Sequence, residues 1–396
     1  MFQYITRRVL QFIPVFLGVT LMLFLIANFL PGADAVQMRV GEKAMNPKLR
    51  ARIVHSLGLD QPWYVQYGDY LSGLSMVHAV YYDGSPVSGD GKTRTMNGTV
   101  ALIVPRVPGS APATGPVQIQ PRADNTYVRG ASGRVLLGSL WIEFDPIDLG
   151  VSLYNGRSVM DILYDAYPFT VILAIAAIML EIVFGIGAGI ISATRRYSVW
   201  DVLVTLSTSV LVSVPVFWLG LMLQVVFGIW LKGVTKGALY LPPVFSGGSD
   251  AEFGPLAYII LPAITLAAVS TAYTARIMRS QLLEVNGQDY IRTAFAKGLS
   301  SRKVLWSHSI KNALIPVVTF IGLDFGAMLA GAILTETVFN WPGIGWTIYR
   351  AIIGRDFPIV FGGVTLILFI VMFVNLAVDI SYAFLDPRIL YGGAEE

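Results

Sequence analysis

The sequence contains no cysteine, which removes disulfides, thiolate nucleophiles and cysteine-based metal sites at once. Its three histidines, His55, His78 and His308, are scattered and form no H-E-x-x-H, so a histidine metal site or metalloprotease helix has no ligand set. No G-x-S-x-G occurs, and a serine hydrolase would lack its nucleophile turn. Charge is scarce too: Asp, Glu, Lys and Arg make up 13% of 396 residues, against about 25% in soluble domains. The formal net charge of +3 is too small to imply a nucleic-acid partner. Gly89-Asp90-Gly91-Lys92-Thr93 has the look of a phosphate loop's end, but the glycine that must open the motif is replaced by Pro86. The chain therefore carries no nucleotide site of its own. The sequon Asn97-Gly98-Thr99 is too short a pattern to weigh.

What is abundant is hydrophobic residues, 55% of the chain, gathered into membrane-length runs. After Arg7 and Arg8, Val9 to Leu30 gives an apolar stretch of roughly 22 residues that matches a bilayer span. Ala33-Asp34-Ala35 imitates a signal-peptidase site, but the run is longer than a signal peptide's apolar core and ends at Pro31-Gly32, so an uncleaved first span is expected. Further spans are expected over Phe169 to Ala193, Val202 to Leu231 with Pro215 inside it, Ala257 to Met278, Ala313 to Leu334, and Val360 to Phe384. Roughly six spans place both termini on one side. Arg7, Arg8, Arg195, Arg196, Arg279, Arg292, Lys297, Arg302, Lys303, Lys311 and Arg388 then share that side, while the short opposite loops carry only Lys232, Lys236, Arg350 and Arg355. The positive-inside rule makes the basic side cytoplasmic.

The first long loop reads in two parts. Asn46-Pro47 begins a short helix that Gly58 closes, and Gln61-Pro62 begins another carrying Trp63, Tyr64, Tyr67 and Tyr70, aromatics suited to a membrane interface or to ordinary packing. From about Ser75 to Ile147 the composition shifts to Gly, Pro, Thr, Asn and Arg. The short β-type runs there, Thr99 to Val104, Val117 to Gln120 and Leu140 to Phe144, suggest a small β-rich insertion, with a disordered one as the alternative.

Between the fourth and fifth expected spans, Leu283 to Pro316 is a basic, mostly polar interruption. From Asp289 to Lys297, helical spacing puts Tyr290, Ile291, Ala294 and Phe295 on one face, with Arg292 and Lys297 off it. Gly298 sits where a left-handed helix stop belongs, and Ser300 or Ser301 is placed to cap a second helix in which Val304, Leu305 and His308 share a face. Such a hairpin must bury its apolar face on the membrane surface, its own bundle or a partner. Within or near the ends of the apolar runs stand three acids, Glu181, Asp324 and Asp379, where an ionisable group must face protein or water. Asp324 is the deepest and is the candidate pathway residue; Asp379, close to a helix end, is read as structural.

The run RTAFAKGL, Arg292 to Leu299, with GQDY before it and HSIKNALIPV after, resembles the ATPase-docking loop of permease subunits in binding-protein-dependent ABC importers. It looks most like the B-type permease of dipeptide, oligopeptide and nickel importers. The wider family opens this loop with Glu-Ala-Ala, where this chain has Arg292, Thr293 and Ala294, and its Leu-Pro falls at Ile310 and Lys311, departures typical of the peptide-importing branch. The resemblance extends over GLDQPWYVQYGDYLSGL, Gly58 to Leu74, and resumes at DLGVSLYNGRSVMDIL, Asp148 to Leu163.

The resemblance implies an all-α polytopic permease of six transmembrane helices. Residues 1–74 would hold the first span and outer helices, 75–147 the β-rich extracytoplasmic insertion, and 148–396 the remaining five spans. A docking loop at 281–312 would use Asp289, Tyr290, Arg292, Thr293, Ala294, Ala296, Lys297, Gly298 and Leu299. It further implies a second, different permease subunit, two ATPase subunits that hold ATP and Mg, a solute-binding protein, and residence in a bacterial or archaeal cell membrane. The chain would bind no cofactor and catalyse nothing. A proton-coupled secondary transporter using intramembrane carboxylates is the alternative, and a sensor or scaffold built on the insertion is a third reading.

Overall fold

A computed structural model describes residues 2–29, 61–74, 77–81, 133–137, 140–144, 149–246, 256–330 and 332–385. The expected helix from Asn46 to Gly58, the runs at Thr99 to Val104 and Val117 to Gln120, the Ala33-Asp34-Ala35 site and Arg388 lie outside these residues. The chain divides into two units, Leu23–Met160 and the pair of segments Met1–Met22 with Asp161–Glu396.

Helix α1, Phe2–Phe29, contributes to both units and contains Pro14. In the Leu23–Met160 unit its Phe24 ring stands 5.4 Å from Tyr67 of α2, Trp63–Gly73, which begins directly after Pro62. Trp63 and Tyr64 at the start of α2 are exposed. Three short strands follow: β1 Val77–Tyr81, β2 Gly133–Leu137 and β3 Leu140–Phe144. They form an antiparallel sheet in the order β1-β3-β2, with Ala79 and Val135 both in register with Ile142. The loop before the next helix is closed by a bridge between Val151 and Ser158 and by Ser152, whose hydroxyl accepts from the backbone N–H of Tyr154 and Asn155.

The other unit is helical. It comprises α3 Val159–Thr194, α4 Val199–Ser213, α5 Val216–Val234, α6 Ala257–Asn286, α7 Asp289–Ala296, α8 Ser301–Leu329, α9 Ile333–Val338, α10 Ile344–Gly354 and α11 Phe357–Leu385. Among the described residues, five of these helices are long and apolar enough to cross a membrane: α3, α5, α6, α8 and α11. Two apolar helices are shorter, Leu10–Ile26 within α1 and α4. The expected span from Val202 to Leu231 is therefore two helices rather than one. Pro215 forces the residue before it out of helical geometry, and Val214 and Pro215 have ψ of 127° and 132°. The expected span from Ala313 to Leu334 also shifts: its helix already begins at Ser301 and stops at Leu329.

Helix α6 is central and packs on α3, α4, α5 and α8. Its approach to α3 depends on a small-residue face, as expected where helices associate by close van der Waals contact. A Cβ on Gly185 would come within 2.8 Å of the Thr274 side chain, and one on Gly189 within 2.6 Å of Met278. Around this seam Ala174, Ala177, Ala267, Met278, Leu282, Ala313 and Val317 form a large buried apolar cluster.

At the end where α3 and α6 begin, Phe169, Phe245, Tyr258 and Trp341 stack edge to face, with centroids 5.3 to 6.0 Å apart. The Trp341 indole N–H donates to the Phe169 carbonyl at 2.9 Å. Beside them Glu336 of α9 is fully buried. It accepts from the Thr170 hydroxyl at 2.8 Å, from the Trp346 backbone N–H at 2.9 Å and from the Gly345 backbone N–H. Its carboxylate thus caps the first turn of α10. Burial pushes the Glu336 carboxyl above its ordinary range, with the three donors pulling the other way.

Candidate functional site

At the opposite end, α7 and the start of α8 form a compact hairpin between two long membrane helices. Helix α7 keeps a narrow inward edge. Ile291 and Ala294 are buried and close a small core of their own with Val304 of α8, supported by Val285 and Leu299. The wider apolar face expected from spacing splits here, because Tyr290 and Phe295 point outward at 44% and 48% exposure. A two-turn helix resting on so small a core leaves no room for four large side chains inside.

Gly298 ends α7 as its position predicts. Its φ is +78°, and the Gly298 N–H donates to the Phe295 carbonyl at 2.9 Å and the Leu299 N–H to the Ala294 carbonyl at 3.3 Å. This paired pattern is the Schellman stop, and Leu299 packing near Ala294 supplies the apolar contact that accompanies it. Ser300 holds the N-cap position of α8 with extended backbone but makes no side-chain cap bond. Asn312 ties the hairpin together by donating to the Tyr290 hydroxyl at 3.0 Å and to the His308 carbonyl at 2.9 Å.

The remaining hairpin residues singled out by the sequence face outward: Asp289, Arg292, Thr293, Ala296, Lys297 and Gly298 are exposed, and Leu299 is half-buried. Arg292 and Asp289 meet at 3.3 Å while both stay solvated, so that pair adds little stability. The outcome is a helical corner presenting two aromatic rings, a guanidinium and an ammonium.

Asp324 lies on α8 within the bundle, near enough to Glu181 for the two carboxyls to interact electrostatically. Glu181 is fully buried on a wide π turn of α3, Glu181–Ile186, and its Oε1 accepts from the Thr274 hydroxyl at 2.5 Å. Glu181 Oε2 and Asp324 Oδ2 are both buried without a donor. The structure thus brings two of the three intramembrane acids together; the Asp379 side chain lies outside the described part. A further charged cluster was not legible in the sequence. Arg279 of α6 grips Asp201 of α4 in a two-pronged pair at 2.9 and 3.0 Å, and Asp201 also accepts from the Ser192 hydroxyl and the Tyr197 backbone N–H. Spacing marks each residue as charged near a helix end but not as a partner of the other. Among the described residues no group of three or more His, Asp or Glu stands together to hold a metal.

Comparison with known proteins follows the same outline. The family described as binding-protein-dependent transport system inner membrane component matches residues 185–391, and the description of its N-terminal part matches residues 1–108. The dipeptide transport system permease protein DppB of Alkalihalophilus pseudofirmus is 34% identical over 99% of this chain and 100% of its own length. The di/tripeptide transport system permease protein DppB of Pseudomonas aeruginosa is 33% identical over 98% of this chain and 99% of its own. A solved amino acid ABC transporter chain is similar over 57% of this chain and 94% of its own, with 12% identity and a TM-score of 0.45.

Proposed function

This chain belongs to the binding-protein-dependent transport system inner membrane components, and from that premise we propose that it is one of two permease subunits of an ATP-driven importer of dipeptides or oligopeptides. As a member of that family it is a multi-pass inner-membrane protein and a subunit of a transport system. The observation that carries the finer reading is the hairpin: a self-cored helix, glycine stop and helix, projecting between two membrane helices with Tyr290, Arg292, Phe295 and Lys297 outward. A surface of exposed aromatic and cationic groups on a helical corner suits a protein partner. In this reading that partner is an ATPase subunit, with ATP and Mg held entirely on the partner side, and Asp289, Thr293, Ala294, Ala296, Gly298 and Leu299 shape the same contact.

The rest of the assembly follows as part of the proposal. The chain contributes six spans, α1 and the α4–α5 pair completing the set, and both termini face the cytoplasm with the hairpin. A different permease subunit forms the other half of the path, and an extracytoplasmic binding protein delivers the peptide. Residues 75–147, which include β1, β2 and β3, form an extracytoplasmic module in this reading, between 1–74 and the permease domain 148–396. ATPase closure pushes on the hairpin, and α8, continuous with it, carries the displacement into the membrane.

The test is co-expression with the neighbouring transport genes. ATPase subunits should co-purify, and vesicles holding the assembly with binding protein should take up dipeptide only with ATP. Uptake that persists without ATP and collapses with the proton gradient would return the reading to a proton-coupled carrier using Asp324 and Glu181. Replacing residues 75–147 by a short Gly/Ser linker should leave a permease that inserts and retains its ATPases.

A further inference from the structure

One turn before Arg279 on the same helix stands Arg276, and the two guanidiniums have different fates. Arg279 is neutralised by Asp201. Arg276 has no carboxylate partner among the described residues; its Nε–H donates to the Thr208 hydroxyl at 3.3 Å and its Nη2 to the Ser209 hydroxyl at 3.0 Å. Those hydroxyls donate their own protons back to the Thr205 carbonyl, so they orient the guanidinium without compensating its charge. A guanidinium carries five N–H groups and two are used here, which leaves three N–H groups for a ligand.

The surroundings are a cavity of about 340 Å³ between α4 and α6, lined by Val204, Thr205, Thr208, Ser209, Arg276 and Arg279 among others. Thr208 lies six residues into the expected Val202 to Leu231 span and Arg276 two residues before the end of the expected Ala257 to Met278 span, both toward the cytoplasmic side. Thr205, Ser209 and Ser213 recur every fourth residue on this helix, all exposed on the isolated subunit. A hydroxyl row and an uncompensated guanidinium at that depth belong against water or protein rather than lipid.

Resting on the importer reading above, we infer that Arg276 is a carboxylate-binding site on the translocation path, where it takes the C-terminal carboxylate of a peptide in transit. The chemistry fits: the guanidinium fork matches a carboxylate in a two-pronged contact, and the hydroxyls hold the fork in place before the ligand arrives. One charge-assisted contact at an open cavity binds weakly enough for the solute to leave, as a path requires.

The experiment uses the complete importer in phosphatidylcholine vesicles with dialanine as probe. Phenylglyoxal modification of Arg276, read by peptide mass, should be slowed by dialanine and not by dialanine amide. Arg276→Gln should lower maximal dialanine uptake about tenfold to hundredfold with both ATPases still bound, and Arg276→Lys should restore part of the rate. Equal protection by the amide, or unchanged uptake in Arg276→Gln, overturns the site. Protection that appears only when phosphatidylglycerol is added makes the anion a lipid headgroup and overturns it as well. Loss of the second permease subunit from Arg276→Gln makes the counterion a neighbouring carboxylate, and the site is overturned in that case too. A wild-type assembly that takes up no dialanine with ATP sinks the importer reading instead, and the protection measurement still decides the site.

Discussion

At one end of the bundle Glu336 is wholly buried and meets three donors from α3 and α10, amid a ring of four stacked aromatics; at the other, the hairpin keeps only Ile291, Ala294 and Val304 inside and turns its aromatics outward. The first arrangement commits its polar groups to each other, through bonds reaching 166 residues along the chain. The second depends on local geometry, a glycine stop and one asparagine. An end wired by long-range buried bonds resists deformation, whereas an end with a small core and an exposed face is suited to receiving force.

The difference can be broken from either side. Glu336→Ala should have the largest effect, leaving three buried donors unpaired and costing about 3 kcal/mol, read as a lower Tm of the detergent-solubilised subunit; an unchanged Tm would mean the node is not a clamp. Gly298→Val should cost about 2 kcal/mol locally and abolish ATPase association and uptake with the subunit still inserted. A Cβ there meets nothing within 4 Å, so the whole effect comes from φ, and full transport in that variant would deny the hairpin its coupling role. Phe295→Ser should leave Tm unchanged and weaken ATPase association by about 1 kcal/mol, some fivefold, measured by titrated pull-down. Asn312→Ala should be mildest, about 0.5 kcal/mol, visible as faster amide exchange in α7 and nowhere near Glu336.

What the sequence made legible follows the same division. Gly298 could be placed because a left-handed stop is a local property of one residue type, and the hairpin's extent followed from it. Pro215 is equally visible but reads as a tolerated proline inside one span; nothing local says that Val214 will give up helical geometry instead of kinking. The contacts of Glu336, the Asp201–Arg279 pair and the meeting of Glu181 with Asp324 join distant segments. Periodicity reports which face of a helix is apolar but not which helix it meets. The outward turn of Tyr290 and Phe295 escaped for a related reason, since an aromatic ring signals burial somewhere without saying whether in the fold or against a partner.

Helix α8 joins the two ends. It runs unbroken for 29 residues from the hairpin turn to the approach to α9, a rod of about 44 Å, with one wide turn at Leu305–Ser309 close to its hairpin end. It packs on α6 and α11, and as a lever loaded at the hairpin a tilt of about 10° over that length would sweep the hairpin end through roughly 8 Å. The wide turn, where backbone bonding is loosest, is the natural place for such a lever to flex. On the docking proposed above, a stroke delivered at Tyr290 and Phe295 would be largest at the hairpin and would fade along α8 into the membrane.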